Sequence, residues 1–251
     1  MTLLESLAVF VAGIGAGTIN TIVGSGTLIS FPTLLAVGFP PVLANVSNTV
    51  GLVPGSVVGA WGYRRELAGQ LSRLIRLGCA SVLGGVAGAL LLLELPAEAF
   101  QAIVPVLIAL GCVLVVAQPW IARQVRPRDN APAHGSWAVW VLVFATGVYG
   151  GYFGAAQGII LIAVMGIGMT DSLQRINAAK NVLAALVNGV AAVVFIAVSD
   201  VAWVAAGLIA GGAILGGVLG SSVGRKLPSP ALRGFVAIVG IIAIVQLLFF
   251  A

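Results

Sequence analysis

Long apolar stretches alternate along the chain with short polar breaks. Apolar residues run through 6–37, 43–61, 74–93, 99–119, 136–170, 176–199, 201–224 and 234–251. A helix that crosses a bilayer needs about 20 such residues. Six stretches fit one span each. The other two, 6–37 and 136–170, are too long, since about 1.5 Å of rise per residue would carry each beyond about 45 Å. Both are rich in glycine: Gly13, Gly15, Gly17, Gly24 and Gly26 in the first, Gly147, Gly150, Gly151, Gly154 and Gly158 in the second. Each is expected to hold a helix and a shorter, broken partner. The pattern predicts an all-α integral membrane protein of ten helical segments, two of them half-length.

Composition narrows the class. Of the 251 residues, 60% are hydrophobic and only 8% charged, and mean hydropathy is +1.16. A soluble domain carries about 25% charge. This chain cannot build a charged surface, which excludes a soluble enzyme, a secreted domain and a disordered chain. The net charge of +5 does not point to nucleic acid, because the basic residues mark loops. Arg64, Arg65, Arg73 and Arg76 flank one loop, Arg123, Arg126 and Arg128 lie in a second, and Arg225, Lys226 and Arg233 flank a third. Between them come turns with Glu94 and Glu98, and with Asp200. By the positive-inside rule the basic loops are cytoplasmic, and both chain ends then fall outside. The opening MTLLESLAVF has no basic region, so no cleaved signal peptide is expected. Cys79 and Cys112 lie in separate apolar stretches and are expected as small core residues. His134 falls in the cytoplasmic linker, where solvation is expected.

Sliding the chain on itself by 132 residues gives a match without gaps. Gly15 falls on Gly147, Gly26 on Gly158 and Asn45 on Asn177. Gly84, Gly85 and Gly88 fall on Gly216, Gly217 and Gly220, and Leu95-Pro96 on Leu227-Pro228. A repeat of this length fixes architecture. Cytoplasmic Arg64 and Arg65 fall on Ile196 and Ala197, beside external Asp200, and external Glu94 falls on Lys226. Equivalent loops therefore lie on opposite sides. The expected organisation is two inverted-topology repeats of about five segments each, residues 1–119 and 136–251, each opened by a broken helix pair. A cytoplasmic linker, 120–135, joins them. Secondary transporters are built this way, with the site near the midplane where the repeats meet.

Polar residues inside the spans then become informative. Asn45, Asn48, Thr49 and Ser56 fall on Asn177, Lys180, Asn181 and Asn188. Both sets follow i, i+3, i+4, i+11, which places each on one helix face. Such stripes either face a central cavity or hydrogen-bond helices together. Lys180 is the one basic residue within a span; it faces a substrate, or it snorkels or pairs with Asp171. Arg175 marks the membrane edge. The broken segments add Asn20 and Ser25, which fall on Tyr152 and Gln157. Their glycines permit either unwound backbone, whose free N–H groups suit an anion, or close helix packing. The pairs Gly84/Gly88, Gly216/Gly220 and Gly220/Gly224 read as packing motifs. Lys180 with asparagine amides suits an anion. Intramembrane carboxylates are almost absent, which counts against an enzyme, and no spacing points to a metal or a cofactor.

Three stretches carry a family resemblance: Gly26-Thr27-Leu28-Ile29-Ser30-Phe31-Pro32-Thr33-Leu34-Leu35, the run from Ala44-Asn45-Val46-Ser47-Asn48-Thr49 through Pro54-Gly55 to Gly59-Ala60-Trp61-Gly62-Tyr63-Arg64, and Asn177-Ala178-Ala179-Lys180-Asn181-Val182-Leu183. At these residues the chain resembles the TauE/SafE family of membrane transporters. The resemblance implies a multi-pass protein of the cell inner (plasma) membrane. It also implies export of sulfite, a sulfonate or a related small organic anion. With the polar stripes, this makes a secondary transporter working by alternating access the leading expectation, and a passive anion channel the alternative. The candidate substrate-binding residues are Asn20, Ser25, Asn45, Asn48, Thr49, Tyr152, Gln157, Asn177, Lys180 and Asn181. The expected partners are that anion and membrane lipid.

Overall fold

A computed structural model describes residues 1–124, 135–222, 234, 238–242 and 244–245. Among the described residues the regular structure is helical: α1 (Leu3–Ile22), α2 (Thr27–Ala36), α3 (Pro41–Gly62), α4 (Leu71–Glu94), α5 (Ala97–Gln124), α6 (Trp137–Tyr152), α7 (Gln157–Gly168), α8 (Leu173–Val198) and α9 (Trp203–Ser222). Six of them, α1, α3, α4, α5, α8 and α9, are long and apolar enough to cross a membrane. Arg126, Arg128 and His134 of the linker, and Arg225, Lys226 and Arg233, lie outside the described residues, as does most of the last expected span.

Local chemistry fixes the helix ends. Thr2 and Glu5 form a reciprocal capping box that starts α1. Pro41 occupies the first turn of α3, where a missing N–H costs nothing. The Ser172 hydroxyl accepts from the Arg175 N–H at the start of α8. The two overlong stretches break as their glycines predict. Gly24 has φ +84° between α1 and α2, and Gly154 has φ +75° between α6 and α7. Glycine adopts this backbone without the β-carbon clash that other residues meet. The broken partners are short, 10 residues in α2 and 12 in α7.

The helices pack in a fixed order. α1 lies against α9, α9 against α3, α3 against α8, α8 against α4, and α4 against α6. In the 132 register this order reads the same from either end, because α1 corresponds to α6, α9 to α4 and α3 to α8. Helix starts agree: Pro41 falls on Leu173, the first residue of α8, and Leu71 on Trp203, the first residue of α9. α5 packs against α7, α3 and α2.

The two outer pairings rest on small residues. A β-carbon at Gly84 would overlap the Phe144 carbonyl oxygen, and one at Gly88 that of Val148. On the other side, a β-carbon at Gly216 would meet the Ile14 oxygen and one at Gly220 the Thr18 oxygen at 2.7 Å. Backbones approach here as only glycine allows, the packing role expected for these motifs. Gly224 lies outside the described residues.

The cysteines depart from expectation. Cys79 is exposed and Cys112 half-buried. Both sit on apolar helices, and in a bilayer lipid can cover the face that water would force inward.

Candidate functional site

The polar stripes of α3 and α8 turn into the protein. Asn45, Asn48 and Thr49 on α3 are buried, as are Asn177, Lys180 and Asn181 on α8. Lys180 is wholly buried, at 0% exposure. Its ammonium donates to the carbonyl oxygens of Asn20 at 3.0 Å and Thr21 at 3.2 Å. Asn181 donates to the Thr21 oxygen at 3.3 Å. These carbonyls belong to the last turn of α1, where a helix leaves oxygens without intrahelical partners and carries partial negative charge. A cation on α8 thus closes the broken helix of the first half. The snorkelling and Asp171-pairing alternatives for Lys180 do not hold, because the ammonium points inward to α1. Glycine makes the path: a β-carbon at Gly158 would lie 2.8 Å from the Lys180 Cδ.

The other half does the same with a neutral donor. Asn45 on α3 donates to the Tyr152 carbonyl oxygen at 2.9 Å, at the end of α6. Each stripe therefore caps the broken helix of the opposite half. Between them the Ser56 hydroxyl accepts from Asn20 at 3.1 Å and Asn188 at 3.3 Å, joining α1, α3 and α8.

The two breaks touch. The Gly158 N–H donates to the Gly24 oxygen at 3.0 Å. Ser25 and Gln157 each lie one residue from this contact and are buried. Beside it, Ala156 holds φ +120°, the one positive φ of a non-glycine residue among the described residues. An L-residue there is strained, and such strain concentrates at functional sites.

Several buried polar atoms near the breaks have no partner: the Ser25, Tyr152 and Gln157 Nε2 donors, and the Asn45 and Asn177 Oδ1 acceptors. Buried polar groups are normally paired, so unpaired ones call for an occupant or a role. Two predicted residues stand apart. Asn48 turns to α2 of its own half, accepting from Ser30 and donating to Thr27 at 3.5 Å. Thr49 is buried but enters none of these hydrogen bonds. Sequence reasoning passed over Thr21, which acts through its backbone oxygen and leaves no side-chain signal. It also passed over Thr27 and Ser30, whose i, i+3 spacing within an apolar stretch was a usable signal.

A second polar cluster closes one end of the bundle. Asp171, between α7 and α8, pairs with Arg73 of α4 and, at 2.9 Å, with Arg175. Gln70 accepts from Arg73 at 2.9 Å and donates to the Arg175 oxygen at 3.2 Å. Arg175 also donates to the Ala68 oxygen at 3.0 Å. Burial pushes the Asp171 carboxyl up, but the hydrogen bonds from Arg73, the Ser172 backbone and Arg175, with the Arg175 charge, outweigh it and hold it below the usual carboxylate value.

Helices able to span a bilayer, enclosing buried amides and one buried ammonium around two broken helices, define a multi-pass membrane transporter. The family Sulfite exporter TauE/SafE matches residues 9–247. The chain belongs to this family. Among its relatives, the Probable membrane transporter protein YfcA of Escherichia coli (strain K12) is 25% identical over 98% of this chain and 90% of its own length. A Probable membrane transporter protein of Haemophilus influenzae is 25% identical over 94% of this chain and 91% of its own. The Probable membrane transporter protein ORF9 of Sinorhizobium sp is 26% identical over 95% and 90% respectively.

Proposed function

We propose that the chain is a secondary transporter of the inner (plasma) membrane that exports a small sulfur-containing anion, sulfite or a sulfonate, by alternating access. The observation that carries this reading is the set of buried, unpartnered donors on Ser25, Tyr152 and Gln157 around the broken helices. Donors, not acceptors, are what an anion needs. The Lys180 ammonium has three protons and two carbonyl partners, so one donor remains for a substrate. Asn45 and Asn177 lie on the facing stripes, where an amide N–H, and not the unpaired Oδ1, would meet the anion. Asn181 holds the carbonyl end of α1, where Asn20 supplies one of the oxygens that Lys180 meets, and Asn48 and Thr49 extend the α3 stripe. The family name supplies the sulfur oxyanion, and an inside-negative potential favours anion exit by about 2.3 kcal/mol per charge per 100 mV.

The palindromic helix order supports two repeats of opposite orientation, residues 1–119 and 136–251, with 120–135 as a cytoplasmic linker. Burial of the polar residues favours a transporter over a passive channel, since a conducting pore keeps its polar lining wet. The test is a thermal-shift and binding screen of sulfite, thiosulfate, sulfonates and carboxylates, because a ligand that binds the folded state raises its apparent stability. Lys180→Ala is expected to weaken binding of the best anion about tenfold to hundredfold, the value of about 1.5–3 kcal/mol for a charged hydrogen bond. Lys180→Arg keeps part of it, and Arg123→Ala leaves it unchanged. Wild-type affinity in folded Lys180→Ala would remove Lys180 from the site. No stabilisation by any sulfur anion would remove the substrate assignment.

A further inference from the structure

The outer side of the α3–α8 pair carries a groove that the transport reading does not use. Val57, Ala60 and Trp61 of α3 and Val182 and Leu186 of α8 line an almost wholly apolar cleft of about 420 Å³. Residues 180 and 181 face inward on α8, whereas Val182 and Leu186 are half-buried along the groove. At the end of the groove Arg64 lies over the Trp61 ring, 5.3 Å from its centroid, and donates to the Trp61 oxygen at 3.3 Å. Both side chains are exposed, Trp61 by 69%. Among the described residues Arg64 is in neither of the Asp171 ion pairs, which go to Arg73 and Arg175.

Indole and guanidinium together mark the headgroup level of a membrane. The basic end of α3 lies on the side that positive charge assigns to the cytoplasm. Basic pockets between transmembrane helices on that side bind anionic lipid headgroups. We propose that this groove is a binding site for an anionic phospholipid of the cytoplasmic leaflet, with its phosphate on Arg64 and one acyl chain along the cleft between α3 and α8. Charge selects this occupant: a zwitterionic lipid brings its own cation to a site that already has one. A bound chain spans the two helices that carry the polar stripes, so the lipid is placed to tune their relative movement. The inference stands independently of which anion is transported.

The experiment uses the full chain in bilayers of phosphatidylcholine with a small fraction of lipid brominated near the top of its chains. The difference in fluorescence quenching between the wild type and Trp61→Phe isolates the Trp61 signal. Brominated phosphatidylglycerol is expected to quench that signal about fivefold more effectively than brominated phosphatidylcholine, which corresponds to about 1 kcal/mol for one basic side chain near the surface. Arg64→Gln should bring the two lipids to parity, whereas Arg123→Gln, which removes an equal charge elsewhere, should keep the preference. Equal quenching by the two lipids in the wild type, or a preference that survives Arg64→Gln, overturns the proposal. So does a Trp61 signal shielded from both lipids in a protein that runs as a dimer, which would assign the groove to a second copy.

Discussion

Replacing Gly24 by alanine tests the contact between the two breaks. Gly24 has φ +84°, and a β-carbon there would overlap the Gly158 Cα. The left-handed backbone alone costs an L-residue about 1–2 kcal/mol. Carbon atoms pack at about 3.5–4.0 Å, so the two backbones must part, an overpacking cost of about 1–3 kcal/mol. Parting them strains the 3.0 Å hydrogen bond from the Gly158 N–H to the Gly24 oxygen, which contributes about 0.5–1.5 kcal/mol. Together, Gly24→Ala should destabilise by about 3–6 kcal/mol. Two other glycines separate these contributions. Gly38 has φ +96° and nothing within 4 Å of its β-carbon position, so Gly38→Ala should lose only the backbone part, about 1–2 kcal/mol. Gly189, inside α8, is also free of neighbours, and Gly189→Ala should gain about 0.5–1 kcal/mol. Reversible denaturation in mixed micelles, followed by tryptophan fluorescence, measures all three. A Gly24→Ala protein within about 1 kcal/mol of Gly38→Ala would refute close contact of the breaks.

Asp171→Asn should destabilise by about 3 kcal/mol, because it takes the opposite charge away from the buried Arg73 guanidinium, which keeps its hydrogen bond to Gln70. The folded Asp171 carboxyl lies below its ordinary value, so its contribution is complete above about pH 4 and is lost as pH falls through the lowered value. A denaturation series over acid pH should therefore show a shallower acid limb in Asp171→Asn, and identical slopes would contradict the ion pair. Ala156→Gly should stabilise the same unfolding midpoint by about 1 kcal/mol, by relieving φ +120°; a destabilised variant would show the conformation to be unstrained. A membrane-impermeant thiol reagent added outside intact cells should label Pro96→Cys and spare Asn130→Cys, and the reverse pattern would invert the orientation.

Much of the helix layout was legible, for reasons of length. A stretch of bilayer length has one reading, and α3, α4, α8 and α9 begin and end within a few residues of their apolar limits. The stretches 6–37 and 136–170 exceeded that length and carried the glycines that break them at Gly24 and Gly154. The polar stripes were legible because i, i+3, i+4 spacing sets one face. Their partners were not, because a stripe does not say which carbonyls it will meet. Lys180 could pair with Asp171 in the sequence, but Asp171 sits beside Arg73, which the chain order keeps far away. Its true partners, the oxygens of Asn20 and Thr21, are backbone atoms that every residue possesses. Cys79 was misplaced because burial habits learned in water do not hold where lipid is the solvent.

The hydrogen bond from Asn188 to Ser56 joins two positions that correspond in the 132 register. In the two-repeat organisation proposed above, a position that touches its own counterpart lies on the axis relating the repeats. In a dimer of identical subunits such a position meets itself, so every substitution there enters twice. Two serines or two asparagines would face each other, and a lysine at 180 would be answered by a lysine at 48. Joining both halves in one polypeptide removes that constraint. A hydroxyl can answer an amide, and a single ammonium can stand on one side of the axis without a repelling twin. In that organisation covalent fusion lets the centre between two related repeats become chemically one-sided, as the proposed carrier needs if its two faces are to have different affinities.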